Sequence, residues 1–326
     1  MEMAYNRKKL IRIGVIGSNE GNGHPISFSS IFNGYDPYYI NKYCKFDLIK
    51  EYLPKYHQNK KKNIINDAKV TSIWTQSKKN SYEISKMVNI NYICKDLNEM
   101  SERVDAVILA RDDIENHLKI IKIFFKKKIP IFIDKLIVSD KKSFNEFNSI
   151  SKKNLYMSCS SSKYTDVIKK QKKNILRIKK NTLFVSGYSK KNWIRYAHHL
   201  LEGISEIFGV RIKKVRCLNF KDNKSESYQL IYYSGLNVYL HFNENFYLPI
   251  HFTCFRKNLE PLYIPYEDYF FSIKEMMINF KKMIRSKNFV IPVNHMDSLT
   301  RIVIAGNLSK KNNLKFYSPK TMEIVK

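Results

Sequence analysis

The alternation of buried strands with amphipathic helices over the first half of the chain constrains its fold more than any other feature. Apolar, strand-like runs lie at residues 11–17, 69–74, 104–110 and 131–134. Helix-like segments lie between or after them, at residues 81–88, 115–125 and 142–150. Strands that alternate with helices are typical of a parallel, doubly wound sheet. The pattern therefore predicts an α/β chain with an N-terminal Rossmann-type domain over residues 1–155.

Beyond residue 155 the pattern changes to short apolar runs that are separated by polar turns. A run at 155–159 is predicted to be the last strand of the first domain, and later runs lie at 183–186, 214–220, 228–233, 237–242 and 251–255. Such spacing is typical of an antiparallel sheet. Helices are predicted at 193–208, 272–285 and 297–308. The second domain, residues 156–326, is thus predicted to be α+β with a largely antiparallel open sheet.

Length and composition exclude several classes of protein. A chain of 326 residues is too long for one ordinary core, which favours two domains. A hydrophobic content of 44% is too high for a disordered chain. No uncharged apolar run is long enough to cross a membrane, and residues 1–9 lack the apolar stretch of a signal peptide. We therefore expect a cytoplasmic protein without a membrane partner.

The net charge of +29 would ordinarily indicate a nucleic-acid partner. The lysines, however, are spread along the whole chain beside Asn, Ile and Tyr, in a sequence with only six alanines and 10 glycines. This is a compositional bias rather than a patch for phosphates, so no nucleic acid is expected to bind. The five cysteines are scattered without metal-ligand spacing, which predicts reduced thiols and no metal site.

The turn after the first strand is rich in glycine. In dinucleotide-binding folds, glycines at this point let backbone N–H groups approach a pyrophosphate. The spacing here departs from G-x-G-x-x-G. The glycines alone therefore do not decide between a plain turn and a dinucleotide site. The residues predicted to contact a cofactor in this turn are Gly17, Ser18, Asn19, Gly21, Gly23 and His24.

Two further turns follow strands of the predicted parallel sheet and are expected at the same edge. Trp74 and Thr75 end the second strand without the acidic residue that selects the ribose of NAD, so NAD and NADP both stay open. After the strand at 104–110 come Arg111, Asp112 and, further on, His117. Either Asp112 or the following Asp113 caps the next helix, or this turn contacts the nicotinamide half of a cofactor.

The strand at 131–134 ends in the charged pair Asp134 and Lys135. Ligands of open parallel sheets bind outside the carboxyl ends of the strands, which places this lysine at a candidate site. A lysine that is partly removed from water can take part in proton transfer. We expect its charge to be exposed, so that its replacement changes the stability little. The alternative is a solvated lysine without function.

The order of these parts resembles the Gfo/Idh/MocA family of oxidoreductases. The resemblance rests on the glycine-ended strand, on 105–110 with its later histidine, on 131–135 and on 196–202. The family's Glu-Lys-Pro tripeptide, whose lysine contacts substrate and nicotinamide, corresponds to Asp134-Lys135-Leu136. Its substrate-domain histidine corresponds to His199, and Arg195 stands where the family has an aspartate. The resemblance implies that Lys135 and His199 are catalytic and that Asp134 contacts the cofactor.

The same resemblance implies what the protein does. It implies hydride transfer between NAD or NADP and a secondary alcohol of a sugar, amino sugar, nucleotide sugar or cyclitol. It also implies a homodimer or homotetramer that assembles through the open sheet. The departures at the glycine turn, at Leu136 and at Arg195 keep an alternative open, namely a cofactor-binding regulatory protein that has lost hydride transfer.

The helix predicted at 193–208 offers a candidate substrate surface. Asn192, Arg195 and His199 fall near one face at spacings of three and four. Trp193 or Tyr196 can stack on a sugar ring. Because an arginine binds carboxylate and phosphate through two hydrogen bonds, the sequence predicts a preference for an acidic or nucleotide-linked sugar. The alternative is that Arg195 pairs with Glu202, or with solvent, on the helix surface.

Overall fold

The computed structural model describes residues 9–17, 22–57, 63–221, 224–245 and 248–325. These residues form two compact units. The first unit takes its described residues from Met1–Ile133, Ile150–Tyr156 and Met277–Val290, and the second from Asp134–Ser149, Met157–Met276 and Ile291–Lys326. The functional division at residue 155, into a dinucleotide domain and a substrate domain, stays a prediction.

A six-stranded sheet forms the centre of the first unit. Its strands are β1 (Ile11–Ile16), β2 (Ala68–Trp74), β3 (Tyr92–Ile93), β4 (Ala106–Leu109), β5 (Ile131–Ile133) and β6 (Tyr156–Met157). They are ordered β3-β2-β1-β4-β5-β6, and the pairs from β3 to β5 are parallel. The predicted Rossmann-type sheet is confirmed. The strand order reverses between β1 and β4, and ligands of such sheets bind at the carboxyl ends beside this reversal.

The central strands form because both of their faces are buried. Ile13, Val15 and Ile16 of β1 have no exposed surface, and β4 is buried over its whole length. A strand that is covered on both faces appears in the sequence as a continuous apolar run. The helices of this part of the chain are α1 (His24–Asn33), α2 (Pro37–Tyr43), α3 (Asp47–His57), α4 (Lys78–Met87), α5 (Leu97–Arg103), α6 (His117–Lys126) and α7 (Lys141–Ser151).

Helices α2 and α3 were missing from the sequence-based prediction. Asp36 accepts hydrogen bonds from the backbone N–H groups of Tyr38 and Tyr39, and Pro37 occupies the first helical turn. An aspartate cap followed by proline is a helix-start signal. This signal, rather than an apolar periodicity, marks the helix.

An eight-stranded sheet forms the centre of the second unit. Its strands are β7 (Thr182–Lys190), β8 (Ile212–Lys221), β9 (Ser225–Tyr232), β10 (Asn237–Asn243), β11 (His251–Arg256), β12 (Leu259–Pro265), β13 (Tyr317–Ser318) and β14 (Glu323–Ile324). They are ordered β12-β11-β7-β10-β9-β8-β13-β14. β7 pairs with β10 in parallel, and the other pairs are antiparallel. The predicted α+β architecture is confirmed.

One helix of this unit supports the candidate site. The helices are α8 (Asp166–Gln171), α9 (Ile175–Asn181), α10 (Trp193–Phe208), α11 (Tyr269–Ser286) and α12 (Val293–Lys311). α10 has the predicted bounds. It begins at Asn192, whose side chain accepts a hydrogen bond from the Arg195 N–H, while Glu226 accepts one from the Trp193 N–H. No helix within the described ranges is long and apolar enough to cross a membrane.

Close packing fixes α10 against α12. The Trp193 side chain is 1% exposed, stacks on Tyr228 with 4.0 Å between ring centroids, and donates its Nε1–H to the Val303 carbonyl. A Cβ atom on Gly306 would lie 2.5 Å from the Trp193 ring, so only glycine lets the two helices approach this closely. The position of α10, and of every side chain on it, is therefore held by a tight helix contact.

Candidate active site

The carboxyl ends of β1, β2 and β4 lie against one another. The Gly17 N–H donates to the Trp74 carbonyl. A Cβ atom on Gly17 would lie 2.4 Å from Pro25 and 3.5 Å from the Ala110 carbonyl oxygen, so glycine is required where α1 starts directly against the end of β1. Ser18, Asn19 and Gly21, which are predicted to bind a cofactor, lie outside the described residues.

The residues that lead into α1 are tied to the end of β4. The Asn22 side chain is 6% exposed, donates to the Ala110 carbonyl at 3.4 Å and accepts from the His24 N–H at 2.8 Å. Gly23 precedes the helix, and the His24 ring stacks on Phe28 at 4.9 Å. Gly23 and His24 thus lie beside the reversal of strand order, and the cofactor contacts predicted for them stay predictions.

A buried arginine joins the ends of β2 and β4. Arg111 donates to the Gln76 side-chain oxygen at 2.7 Å and forms a two-point ion pair with Asp113. Thr75, beside Gln76, is buried and donates its hydroxyl to the Ser77 carbonyl. Arg111 is only 6% exposed, and its guanidinium already has these partners. It supports the shape of this edge of the sheet more directly than it offers a charge to a ligand.

Of the two predicted helix caps in this turn, Asp113 is wrong. Asp113 stands at the cap position of the short 3₁₀ turn Ile114–Asn116, but its side chain makes no capping bond to the backbone. Burial alone would raise the pKa of Asp113, yet hydrogen bonds from Arg111 and Asn116 hold the pKa below its usual value. Arg111, two residues earlier, competes successfully for the carboxylate because a charged donor bonds more strongly than a backbone N–H.

His117 and Asp112 differ in their surroundings. The His117 side chain has no exposed surface, and its Nε2 lies 3.1 Å from the Arg111 carbonyl oxygen. This contact holds the turn 111–117 closed. Asp112 is half-buried and Trp74 is half-buried. The cofactor contacts predicted for Trp74, Asp112 and His117 stay predictions.

Asp134 and Lys135 come directly after β5 and are both buried. Lys135 is 7% exposed and Asp134 2%. The Asp134 carboxylate accepts from the Lys135 backbone N–H at 3.0 Å and lies 3.7 Å from its Nζ. The peptide bond between Lys135 and Leu136 is cis. The expectation of an exposed lysine is wrong: the ammonium is held near the carboxylate of its own neighbour, out of bulk solvent.

His199 lies half-buried on α10, surrounded by hydroxyl groups and aromatic rings. Its Nδ1 is 2.7 Å from the Ser160 Oγ, and its backbone carbonyl accepts from the Ser162 hydroxyl at 2.7 Å. The rings of Tyr196 and Tyr266 lie 5.2 and 5.7 Å from the His199 ring, centroid to centroid. His199 also lines a small pocket of about 10 Å³, together with Ser162, Thr165, His251 and Tyr266.

A buried charge network lies along the same helix. The Glu202 carboxylate is fully buried, lies 3.5 Å from Lys163 Nζ, and is within hydrogen-bond distance of His198 and His295. Burial alone would raise the pKa of Glu202, but Lys163 and the two histidines hold it well below its usual value. Burial lowers the pKa of Lys163, and Glu202 with Glu206 more than reverses that effect.

The same cluster contains groups that could bind a cation, but the ammonium of a lysine lies among them. Glu202, Glu206 and His295 bring three possible ligand atoms within 4.8 Å of one another. The Lys163 ammonium lies 3.5 Å from one carboxylate and 3.2 Å from the other. The positive charge that these carboxylates require is therefore supplied by the chain itself.

The predicted substrate face of α10 is only partly available. Trp193 is in the core, so its predicted stacking on a sugar ring is wrong. The Asn192 side-chain oxygen caps the helix. Arg195 is exposed, and its guanidinium has no partner among the described residues, while Glu202 is buried. The alternative in which Arg195 pairs with Glu202 is therefore wrong, whereas the alternative in which it faces solvent is not. Tyr196 is half-buried, with the Lys191 ammonium 5.2 Å from its ring centroid.

Known structures share this architecture over nearly the whole chain. Scyllo-inositol dehydrogenase from Lactobacillus casei, solved with NAD(H) and scyllo-inositol, superposes with a TM-score of 0.72 at 13% identity, covering 96% of this chain and 100% of that one. Myo-inositol 2-dehydrogenase from Lactobacillus plantarum gives 0.73 at 11%, covering 95% and 99%. A probable dehydrogenase from Thermotoga maritima gives 0.69 at 12%, covering 95% and 100%.

These likenesses establish the fold. It is the fold of the inositol dehydrogenases. No family model and no curated protein sequence matches the chain. At 10–13% identity, membership of the Gfo/Idh/MocA family stays a prediction, as does the role of each site residue.

Sequence reasoning missed the residues that surround His199. Ser160, Ser162 and Lys163 lie in one short turn after β6, and they reach α10 only through the tertiary fold. Glu202 was considered only as a surface partner of Arg195. A usable signal was present, because an isolated glutamate three residues after the histidine, between Leu201 and Gly203, is a polar residue in an apolar stretch. Buried carboxylates of this kind require partners.

We predict that Glu202→Gln lowers the free energy of unfolding by about 3 kcal/mol at neutral pH, because it leaves Lys163 with one fewer carboxylate in a buried site. The pKa of Glu202 is depressed in the folded state, so its stabilisation is present above the ordinary glutamate pKa and is lost as the pH falls. The difference between wild type and variant should therefore narrow below about pH 4.3. Urea unfolding over a pH series measures it.

Glu260→Gln is the matched control, because Glu260 is exposed on β12. It should change the stability little at any pH. A stability difference for Glu202→Gln that is small, or that is the same at every pH, would show that the buried carboxylate is not ionised as described.

Proposed function

We propose that the protein is an NAD(P)-dependent oxidoreductase that transfers hydride at a secondary alcohol of a sugar, amino sugar, nucleotide sugar or cyclitol. The observation that carries the proposal is the buried Asp134–Lys135 pair directly after β5 of a Rossmann-type sheet. A charged lysine is seldom buried without a role or a strong partner. Support comes from the shared fold with inositol dehydrogenases that were solved with NAD(H) and inositol.

The first unit is proposed to hold the dinucleotide. Gly17 lets α1 start directly against the end of β1, and Asn22, Gly23 and His24 lead from there into the helix. The edge continues through Thr75 to Arg111, with the polar atoms of Arg111 bonded within the protein. When bound, the nicotinamide ring accepts or gives the hydride. The neighbouring structures favour NAD, and both NAD and NADP are included in the test below.

The second unit is proposed to bind the substrate and to handle its proton. Lys135 exchanges the proton of the substrate hydroxyl, and Asp134 holds the lysine in place. His199 contacts the same oxygen, and Tyr196 lies beside it. Asn192 and Arg195 lie on the first turn of the same helix and are proposed to contact more distant parts of the substrate. The implied homodimer or homotetramer stays a prediction.

A second function is favoured by one observation. The ring of His199 contacts a serine hydroxyl. Among the described residues, Arg195 has no carboxylate partner. A site of this kind can bind a cofactor without the acid–base pair that the resemblance implies. A regulatory protein that senses the cofactor is therefore the alternative to an enzyme.

We predict that fluorescence titration detects NADH or NADPH binding in the micromolar range, about −8 kcal/mol. Turnover is then measured with inositols, neutral sugars, uronic acids and nucleotide sugars. Binding with turnover supports the enzyme, and binding without turnover on any of these substrates supports the regulatory protein. Failure to bind either dinucleotide, together with tight and salt-sensitive binding of DNA, would overturn both.

We predict that Lys135→Arg lowers kcat by roughly a hundredfold or more, because an arginine keeps the positive charge but does not release a proton under working conditions. Lys135→Ala should lose activity equally. It should also lower the free energy of unfolding by about 3 kcal/mol, because it removes the ammonium 3.7 Å from the buried Asp134 carboxylate. Steady-state kinetics and urea unfolding measure the two effects separately.

Lys141→Ala is the control, because the Lys141–Glu323 ion pair is largely exposed. It should leave both turnover and stability nearly unchanged. Full activity of Lys135→Arg would show that Lys135 does not transfer the proton and that its role is structural.

We predict that Arg195→Ala lowers kcat/KM for acidic or nucleotide-linked substrates by about tenfold or more and changes it little for neutral cyclitols. The guanidinium is exposed and has no described partner, so it can bind a carboxylate or phosphate through two hydrogen bonds. Arg177→Ala, at an exposed position on α9, is the control. Equal losses on both substrate classes, or none on either, would rule out the arginine as a selector of charge.

A further inference from the structure

The contact between Ser160 and His199 indicates which ring nitrogen of the histidine carries the hydrogen. Ser160 is 2% exposed, and its Oγ lies 2.7 Å from the His199 Nδ1. The same Oγ accepts a hydrogen bond from the Ser162 backbone N–H at 3.2 Å. A serine hydroxyl has one hydrogen to donate and can accept two.

The group that accepts the single hydrogen of the Ser160 hydroxyl can be identified from its contacts. A buried hydroxyl in a folded protein donates its hydrogen to an acceptor. Of the two groups that contact the Ser160 Oγ among the described residues, the Ser162 N–H is itself a donor, so it cannot accept. The acceptor is therefore the His199 Nδ1. A nitrogen that accepts a hydrogen bond carries no hydrogen, so the neutral ring has its hydrogen on Nε2.

We propose that Ser160 is a positioning residue that fixes His199 in the Nε2–H form. The inference rests on the proposed function for its consequence. In this form the neutral His199 donates a hydrogen bond from Nε2 to the oxygen of the reacting carbon and does not remove its proton. The proton of the substrate hydroxyl is then left to Lys135. A carboxylate in contact with Nδ1 would have the opposite effect, placing the ring hydrogen on Nδ1 and leaving Nε2 as a base.

The turn that carries Ser160 is held on α10 by several independent contacts. The Ser162 hydroxyl donates to the His199 carbonyl, and the Lys163 ammonium pairs with Glu202 and Glu206 one turn and two turns further along the helix. On the other side, Ser161 hydrogen-bonds to Tyr266, whose ring stacks on that of His199 at an angle of 28°. These contacts hold the Ser160 hydroxyl beside the His199 ring.

The experiment is ¹⁵N NMR of the histidine side chains in the complete protein, above the pH at which the ring is protonated. The His199 signals are assigned by their loss in His199→Gln. In the wild type we expect a protonated, pyrrole-like Nε2 and an unprotonated, pyridine-like Nδ1. In Ser160→Ala the Nδ1 signal should move toward the value of a mixture of both forms. In Ser160→Asp, whose carboxylate is an acceptor, the pattern should invert.

Ser158→Ala is the matched control, since it removes a hydroxyl two residues earlier that is equally buried and has no hydrogen-bond partner among the described residues. It should leave the His199 signals unchanged. Where the protein turns over a substrate, Ser160→Ala should lower kcat by about tenfold with little change in KM, and Ser158→Ala should change neither.

A wild-type ring with its hydrogen on Nδ1, or signals that Ser160→Ala does not move, would overturn the inference. The NMR result does not depend on a cofactor or on turnover. If neither dinucleotide binds, the proposed function is therefore wrong, but the NMR result still shows which nitrogen of the His199 ring carries the hydrogen.

Discussion

The buried carboxylate of Glu202 is the interaction on which the second unit's candidate site depends. It contacts Lys163 from the turn after β6, His295 from α12 and His198 from its own helix. A carboxylate inside a protein is tolerated only when such partners replace its water. The requirement brings three separate segments to one point. That point lies one helical turn from His199, so the same interactions that satisfy the charge also fix the residues around the histidine.

The fold could be predicted from the sequence because local patterns specify it. Continuous apolar runs mark the strands of the parallel sheet, and alternating runs mark the second sheet, as in β9 and β10. The bounds of α10 follow from its strong apolar face and from Asn192 as a cap. Helix α2 escaped because its signal is an aspartate cap rather than an apolar periodicity.

The candidate site could be predicted only where its residues follow a strand end or lie on a recognisable helix. Asp134, Lys135 and His199 were found in this way. Ser160 was not, because it is 39 positions from His199 and the contact exists only in three dimensions. The errors have the same origin. No local sequence pattern shows that Trp193 packs against Gly306 in the core. Nor does one show that Asp113 pairs with Arg111 instead of capping a helix, or that Lys135 is buried.

The parallel pairing of β7 with β10 has a consequence for how the second unit folds. The two strands pair across more than fifty residues of sequence, from Leu240 to Gly187 for example, and β8 and β9 lie between them in the chain. A pairing of this kind closes a long loop before it gains any contact, so it is slow to form. The hairpins β8–β9 and β9–β10 are local and can form without it. The helix with His199 follows β7 directly, and it would therefore reach its place on the sheet among the last steps of folding.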